Sequence, residues 1–168
     1  MMQSTSHINL AIIALGSNLG EPADLVRRAF ARLQPFSDKP VRTSSLYITA
    51  PVDCPPGSPD FVNAVALVMV RHAETPESLL AKLQDLEREF GRTPKKVLNE
   101  ARPLDLDLIA FGNEIRSTPG LTLPHPRAHL RRFVLEPLAE IAPDLVLPGQ
   151  TLPVTRLLQQ LPRETPRK

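Results

Sequence analysis

Leu104-Asp105-Leu106-Asp107-Leu108-Ile109-Ala110-Phe111 is the stretch on which the fold turns. Apolar and acidic residues alternate there with period two, as they do in a strand with one buried and one open face. Gly112-Asn113 then reads as a turn into a short return strand, Glu114 to Ser117. Upstream, Arg92 to Ala101 is polar and basic without periodicity and reads as a mobile loop. Before it, Thr75-Pro76 opens a helix with a hydroxyl cap and a proline at the first helical position. Leu79, Leu80, Leu83, Leu86 and Phe90 form its apolar stripe, and Gly91 stops it. Phe61 to Val70 is a strong strand, and the four prolines within 50–60 make a stiff loop. Val41 to Thr49 reads as a strand, 22–34 as a helix entered at Pro22, and His7 to Leu15 as a buried strand closed by a turn at Gly16-Ser17-Asn18. Downstream, Leu121 to Pro124 is extended, 126–141 is mostly helical, and a last helix follows Thr151-Leu152-Pro153. Strands and helices mix without regular alternation. The expectation is an α+β fold, a largely antiparallel sheet with helices packed on it, in a single domain over 8–161 with short tails at 1–7 and 162–168.

The composition narrows the function. The chain has 168 residues, 42% of them hydrophobic, which is enough for a core and too many for a disordered chain. A formal net charge of +2 is far from the basic signature of a general nucleic-acid binder, and no nucleic-acid partner is expected. The single cysteine, Cys54, cannot close an intramolecular disulfide and reads as a loop thiol without a role. The longest apolar run, Ala64 to Val70, is far short of the roughly 20 residues of a membrane span. Met1 to His7 holds no Lys or Arg, and Leu10 to Leu15 is too short for a signal peptide. A cytoplasmic monomer with no membrane partner is expected. Proline is abundant at 19 residues and glycine scarce at 7, so a phosphate site here has to rest on side chains and metal more than on a glycine-rich cradle.

Asp105 and Asp107 carry the most chemistry. Two apart on a strand, they point to one face about 6.5–7 Å apart. Hard cations such as Mg²⁺ take one or two protein carboxylates plus substrate phosphates. The same pattern also fits an ordinary solvated strand face. The flanks bear on the choice: nine Lys or Arg lie between Arg88 and Arg132 against five acids, two of which are this pair. A polyphosphate needs such an excess, and Arg can clamp it bidentately. His125 is held between Pro124 and Pro126, fixed in place either to bond a phosphate oxygen or for structural reasons. No GxxxxGK[ST], GxGxxG, CxxC, HExxH or GxSxG motif is present, so a P-loop, a zinc site and a hydrolase elbow are not indicated. A two-metal nucleotidyltransferase or nuclease, and a non-catalytic nucleotide-binding module, compete with a kinase-type reading.

The segments ALGSNLG (14–20), SSLY-TAP (44–51), PDFVNAV (59–65), QDLEREFGR (84–92), ARPLDLDLIAFGN (101–113) and LPHPRAHLRRFVLEPLAEIAP (123–143) occur in one order over roughly Ile8 to Pro148. In them the chain resembles the 6-hydroxymethyl-7,8-dihydropterin pyrophosphokinases of folate biosynthesis. The resemblance implies a ferredoxin-like fold. It also implies transfer of the β,γ-pyrophosphoryl group of ATP, the co-substrate, to the hydroxymethyl of the pterin, leaving AMP. Asp105 and Asp107 match the pair that holds two Mg²⁺ ions. Arg92, Asp105 and Asp107 are the catalytic candidates. Gln84, Glu87, Arg92, Arg102, Leu108, Thr122, His125 and Arg131 match ATP contacts. Thr49, Ala50, Val52, Phe61, Asn63 and Phe133 match the pterin site, with Asn63 reading the ring edge and the two phenylalanines stacking on the ring. The chain departs from many relatives at Pro94, where they carry Arg, at Asn99-Glu100-Ala101, where they carry Trp-Gly-Pro, at Gly120 and at Pro126. No protein base is implied, because phosphoryl transfer needs alignment and charge neutralisation more than covalent help.

Overall fold

The computed structural model describes residues 9–50, 56–57, 59–91 and 103–162. Val52, Cys54, Arg92, Pro94, Asn99 and Arg102 lie outside the described residues.

The central strand β1 (Asn9–Ser17) is apolar almost throughout because it is buried on both faces. Ala11, Ile13 and Leu15 enter one core, while Ile12 and Ala14 enter another. On one side β1 pairs with β4 (Phe61–Val70), on the other with β5 (Asp105–Phe111). The outer edge of β4 carries two short strands, β2 (Arg42–Thr43) and β3 (Tyr47–Thr49). Every pairing is antiparallel. Helices α1 (Pro22–Leu33) and α2 (Pro76–Glu89) bury Val26, Ala29, Leu33, Leu79, Leu83 and Leu86 on the first face. Helices α3 (Arg132–Ile141) and α4 (Val154–Gln160) bury Val134, Leu135, Leu138, Val154 and Leu157 on the second. With β2 and β3 counted as one interrupted edge, the order strand–helix–strand–strand–helix–strand is a ferredoxin-like α+β fold.

The local signals act as their chemistry requires. Thr75 and Ser78 form a reciprocal capping box at the start of α2, with Ser78 N donating to Thr75 Oγ1 at 3.0 Å and Thr75 N to Ser78 Oγ at 2.9 Å. Leu104, Leu106 and Leu108 turn into the first core, so the intervening aspartates face the other way.

Three sequence readings are corrected, and a fourth holds. The supposed turn at Gly16-Ser17 is still strand, and the turn glycine is Gly20, at φ 70°. The strand expected over Val41 to Thr49 is interrupted. Thr43 faces Ala66 whereas Tyr47 faces Asn63, so four steps on the edge span three on β4. At the break the Ser44 hydroxyl accepts the Val65 N–H at 2.9 Å in place of a backbone carbonyl. The return strand does not fold back on β5: β6 (Arg116–Thr118) pairs with β7 (Leu121–Leu123) in a separate two-stranded sheet closed by Pro119-Gly120. The 126–141 segment is mostly helical as read, a 3₁₀ turn at Ala128–Leu130 followed by α3.

Candidate active site

Cross-strand register assembles the site. Tyr47, Asn63, Gly16 and Asp105 stand opposite one another across β3, β4, β1 and β5. Residues directly opposite share a face. The neighbouring pairs, Thr49 with Phe61 and Ala14 with Asp107, are two residues away along the strands and so lie on that same face. Ala14 belongs to the core under α3 and α4, so the aspartates, Asn63, Phe61 and Thr49 all occupy the α3/α4 side of the sheet. Sequence separations of more than forty residues thus converge on one end of one surface.

Gly16 makes this possible. A Cβ there would lie 3.1 Å from Asn63 Oδ1 and 3.9 Å from the Phe61 ring, so both side chains rest over bare backbone. Asn63 is buried, and its Nδ2 donates to Thr49 Oγ1 at 2.5 Å. Its carbonyl oxygen is therefore the end that approaches Gly16.

A β-bulge brings in the basic segment. One step on β1, Ile13 to Ile12, spans Leu108 to Ala110 on β5, leaving Ile109 as the extra residue. The Ile109 carbonyl accepts the His125 N–H at 2.8 Å. His125 Nδ1 in turn accepts the Arg127 N–H at 3.2 Å, which leaves Nε2 to carry the proton of the neutral ring. Burial holds the imidazole below its usual 6.5, assisted by the charges of Arg131 and Arg127 and opposed by Asp105. His125, Arg131 and Asp105 therefore share one electrostatic neighbourhood. The Arg131 guanidinium lies 5.3 Å from the centre of the Phe133 ring, joining a nucleotide-side candidate to a pterin-side one.

The remaining candidates separate. Glu87 is half-buried on α2, and its Oε2 accepts the Leu106 N–H at 2.7 Å, between the two aspartates on the edge of β5. Gln84 is exposed one turn earlier on α2. Thr122 is exposed on β7 opposite Ser117. The Leu108 side chain is buried in the first core, away from the aspartates, so only its backbone is left to a nucleotide. Ala50 is exposed just past β3. Gly16 and Glu140 escaped the sequence reading. Gly16 resembled a turn residue, and the carboxylate of Glu140, which binds Ser45 and Tyr47, gave no signal that sequence spacing could expose.

The donor set suits a hard cation. Asp105 and Asp107 offer oxygen only, and among the described residues no group of three or more His, Cys, Asp or Glu converges. Two carboxylates are a donor set that a hard cation takes alongside substrate phosphates.

The fold and this acidic sheet end define the class, a ferredoxin-like α+β domain with a carboxylate pair on the α3/α4 face of its sheet. The family model described as 7,8-dihydro-6-hydroxymethylpterin-pyrophosphokinase (HPPK) matches residues 12–143. The chain belongs to this family. The 2-amino-4-hydroxy-6-hydroxymethyldihydropteridine pyrophosphokinase of Haemophilus influenzae is 43% identical over 151 residues, covering 89% of this chain and 91% of that protein. The protein of the same name from Pseudomonas aeruginosa is 40% identical, covering 87% and 89%. A solved structure of Plasmodium falciparum HPPK-DHPS with pteroate superposes with a TM-score of 0.72 at 14% identity, covering 95% of this chain. This chain spans 43% of that one, and the likeness concerns the fold alone.

Proposed function

We propose that this protein transfers the β,γ-pyrophosphoryl group of ATP to the hydroxymethyl oxygen of 6-hydroxymethyl-7,8-dihydropterin, releasing AMP and the pterin diphosphate in folate biosynthesis. The observation that carries the reading is the shared face: a carboxylate pair on β5 and the Asn63–Phe61–Thr49 group on β4 and β3 share one face of the sheet, with only Gly16 and Ala14 of β1 between them. A flat acceptor ring and a polyphosphate donor are thereby held within reach of each other. Phe61 and Phe133 stack the pterin. The Asn63 carbonyl accepts from the N–H edge of the ring, while Thr49 fixes the amide's orientation. Ala50 and Val52 border the ring. His125 Nε2–H, Arg131, Thr122, Gln84 and Glu87, with the backbone at Leu108, hold the nucleotide, and Arg92 and Arg102 clamp its phosphates.

Asp105 and Asp107 would hold Mg²⁺, two ions in the full reading, which would neutralise the triphosphate and polarise the β-phosphorus. The alcohol oxygen bonds to the β-phosphorus, the bond to the α,β-bridging oxygen breaks toward AMP, and the alcohol proton passes to water. Alignment supplies most of the acceleration, and no protein base is required. The same reading assigns one catalytic unit over 8–161, acting as a cytoplasmic monomer without a nucleic-acid partner.

Product analysis tests it. With Mg²⁺, ATP and the hydroxymethyl pterin, mass spectrometry should find AMP and the pterin diphosphate in equal amounts. Formation of ADP, or AMP release that does not depend on the pterin, would refute the reading.

A further inference from the structure

Glu140, near the C-terminal end of α3, receives three hydrogen bonds from the edge of the sheet. Ser45 N and the Tyr47 hydroxyl donate to Oε1 at 2.9 and 2.7 Å, and the Ser45 hydroxyl donates to Oε2 at 2.8 Å. Both carboxylate oxygens are engaged by one short segment just after the break at Ser44. The segment is otherwise held by Leu46, which packs on the first core, and by β3, which is three residues long and pairs on one side only, with β4. Edge strands this short depend on tertiary ties.

The two ends of the clasp lead toward residues that the proposed function assigns to the pterin. Tyr47 and Thr49 are two apart on β3 and share a face, and Thr49 is the residue that orients Asn63. Glu140 and Phe133 are seven apart on α3, two turns along the same side of the helix. One carboxylate thus links the strand that ends in the ring-edge contacts to the helix that begins with a stacking ring. We infer that Glu140 is a positioning residue for the pterin: by tying Ser45 and Tyr47 to α3 it sets the distance from Phe133 to the β3 edge, where Thr49 orients Asn63 and pairs with Phe61, and with it the fit of the ring between the two phenylalanines. This rests on the pterin assignment made above. The three bonds favour the ionised Glu140, and burial with the Glu140 contact pushes the Tyr47 phenol up to about 12, so both groups keep the required charge state near neutral pH.

A second tie keeps the test interpretable. Arg42 donates to the Ile141 carbonyl, so α3 stays docked on the edge when Glu140 is changed. The experiment is steady-state kinetics of the full chain with Glu140→Gln, Tyr47→Phe and Phe133→Ala, each checked by circular dichroism. Glu140→Gln should raise the KM for the hydroxymethyl pterin about fivefold, with the KM for ATP unchanged, as expected when orienting hydrogen bonds are lost. Tyr47→Phe, which keeps both Ser45 bonds, should give a smaller rise of the same kind, and it carries the test if Glu140→Gln does not fold. Tyr47 is the sole tyrosine and the chain has no tryptophan, so absorbance at an alkaline pH where the fold persists reads this contact alone. A larger tyrosinate fraction is expected in Glu140→Gln. If both variants lose thermal stability while the pterin KM is unchanged, the contact is merely structural and the inference falls. If Phe133→Ala also leaves the pterin KM unchanged, the pterin assignment itself is wrong. If only Phe133→Ala raises it, the assignment stands without the inference.

Discussion

Asp105 and Asp107 owe their common direction to the leucines between and beside them. Leu104, Leu106 and Leu108 are each buried, so rotating the strand to hide the acids would expose three core side chains, at about 1.5–3 kcal/mol each. Asp105→Asn or Asp107→Asn keeps size and shape and removes a charged oxygen donor. Each should lower turnover at least about a hundredfold with the circular dichroism spectrum unchanged, since these groups hold charge and not the core. Near-normal rates in either variant would remove the metal assignment. Gly16→Ala tests the opposite side of the same cross-strand row. Its new methyl would meet the Asn63 carbonyl oxygen at 3.1 Å, so the pterin KM should rise more than the ATP KM. The two aspartates were legible because a period-two pattern is local. Gly16 was not, because its necessity depends on which side chains of β4 lie across it, and Gly-Ser-Asn by itself looks like a turn.

The helices were readable from stripes and caps because both signals lie within one element. Thr75→Ala removes one half of the α2 capping box and should cost about 1 kcal/mol in denaturant unfolding while leaving both KM values unchanged. An effect on the ATP KM would mean that the cap also sets the position of Gln84 and Glu87, the α2 residues proposed to meet the nucleotide. The strand edges were less readable. Ser44 interrupts the edge by giving its hydroxyl to Val65 N–H, a substitution visible only once β4 is alongside. The strand after Gly112 was expected to return on β5, but the two-residue closure at Pro119-Gly120 pairs it with Leu121–Leu123, and burial of Leu123 in the first core anchors that hairpin. The bulge at Ile109 was equally hidden, yet it ties the His125 segment to β5 by offering a carbonyl to the His125 N–H. Glu87 serves the same strand from the other helix layer through the Leu106 amide.

The molecule divides its labour between the two faces of one sheet. The α1/α2 face is closed by a continuous apolar core, while the α3/α4 face is apolar at one end and carries the acids, Asn63 and Phe61 at the other. The sequence exposed this division at one strand only, where Leu104, Leu106 and Leu108 alternate with Asp105 and Asp107. Among the described residues no helix is long and apolar enough to cross a membrane. Two groups tie stability to pH from opposite directions. His125 is held below 6.5, so the unfolded chain takes up a proton that the fold resists, and stability should fall as pH drops below about 6.5. Tyr47 is held up at about 12 against 10.0, so its contribution is intact below pH 10 and is lost as pH rises toward 12. Urea midpoints measured across pH should show both arms. Tyr47→Phe should flatten the alkaline one, and His125→Asn the acid one. An alkaline arm unchanged in Tyr47→Phe would show that the phenol is not its source.

The most direct measurement is a crystal structure of the protein with Mg²⁺, a non-hydrolysable ATP analogue and the hydroxymethyl pterin. Carboxylate oxygens of both Asp105 and Asp107 should lie about 2.1 Å from magnesium that also contacts the triphosphate. The pterin should lie between Phe61 and Phe133, its hydroxyl facing the β-phosphorus. Magnesium bound to the nucleotide with neither aspartate in its coordination sphere would contradict the account.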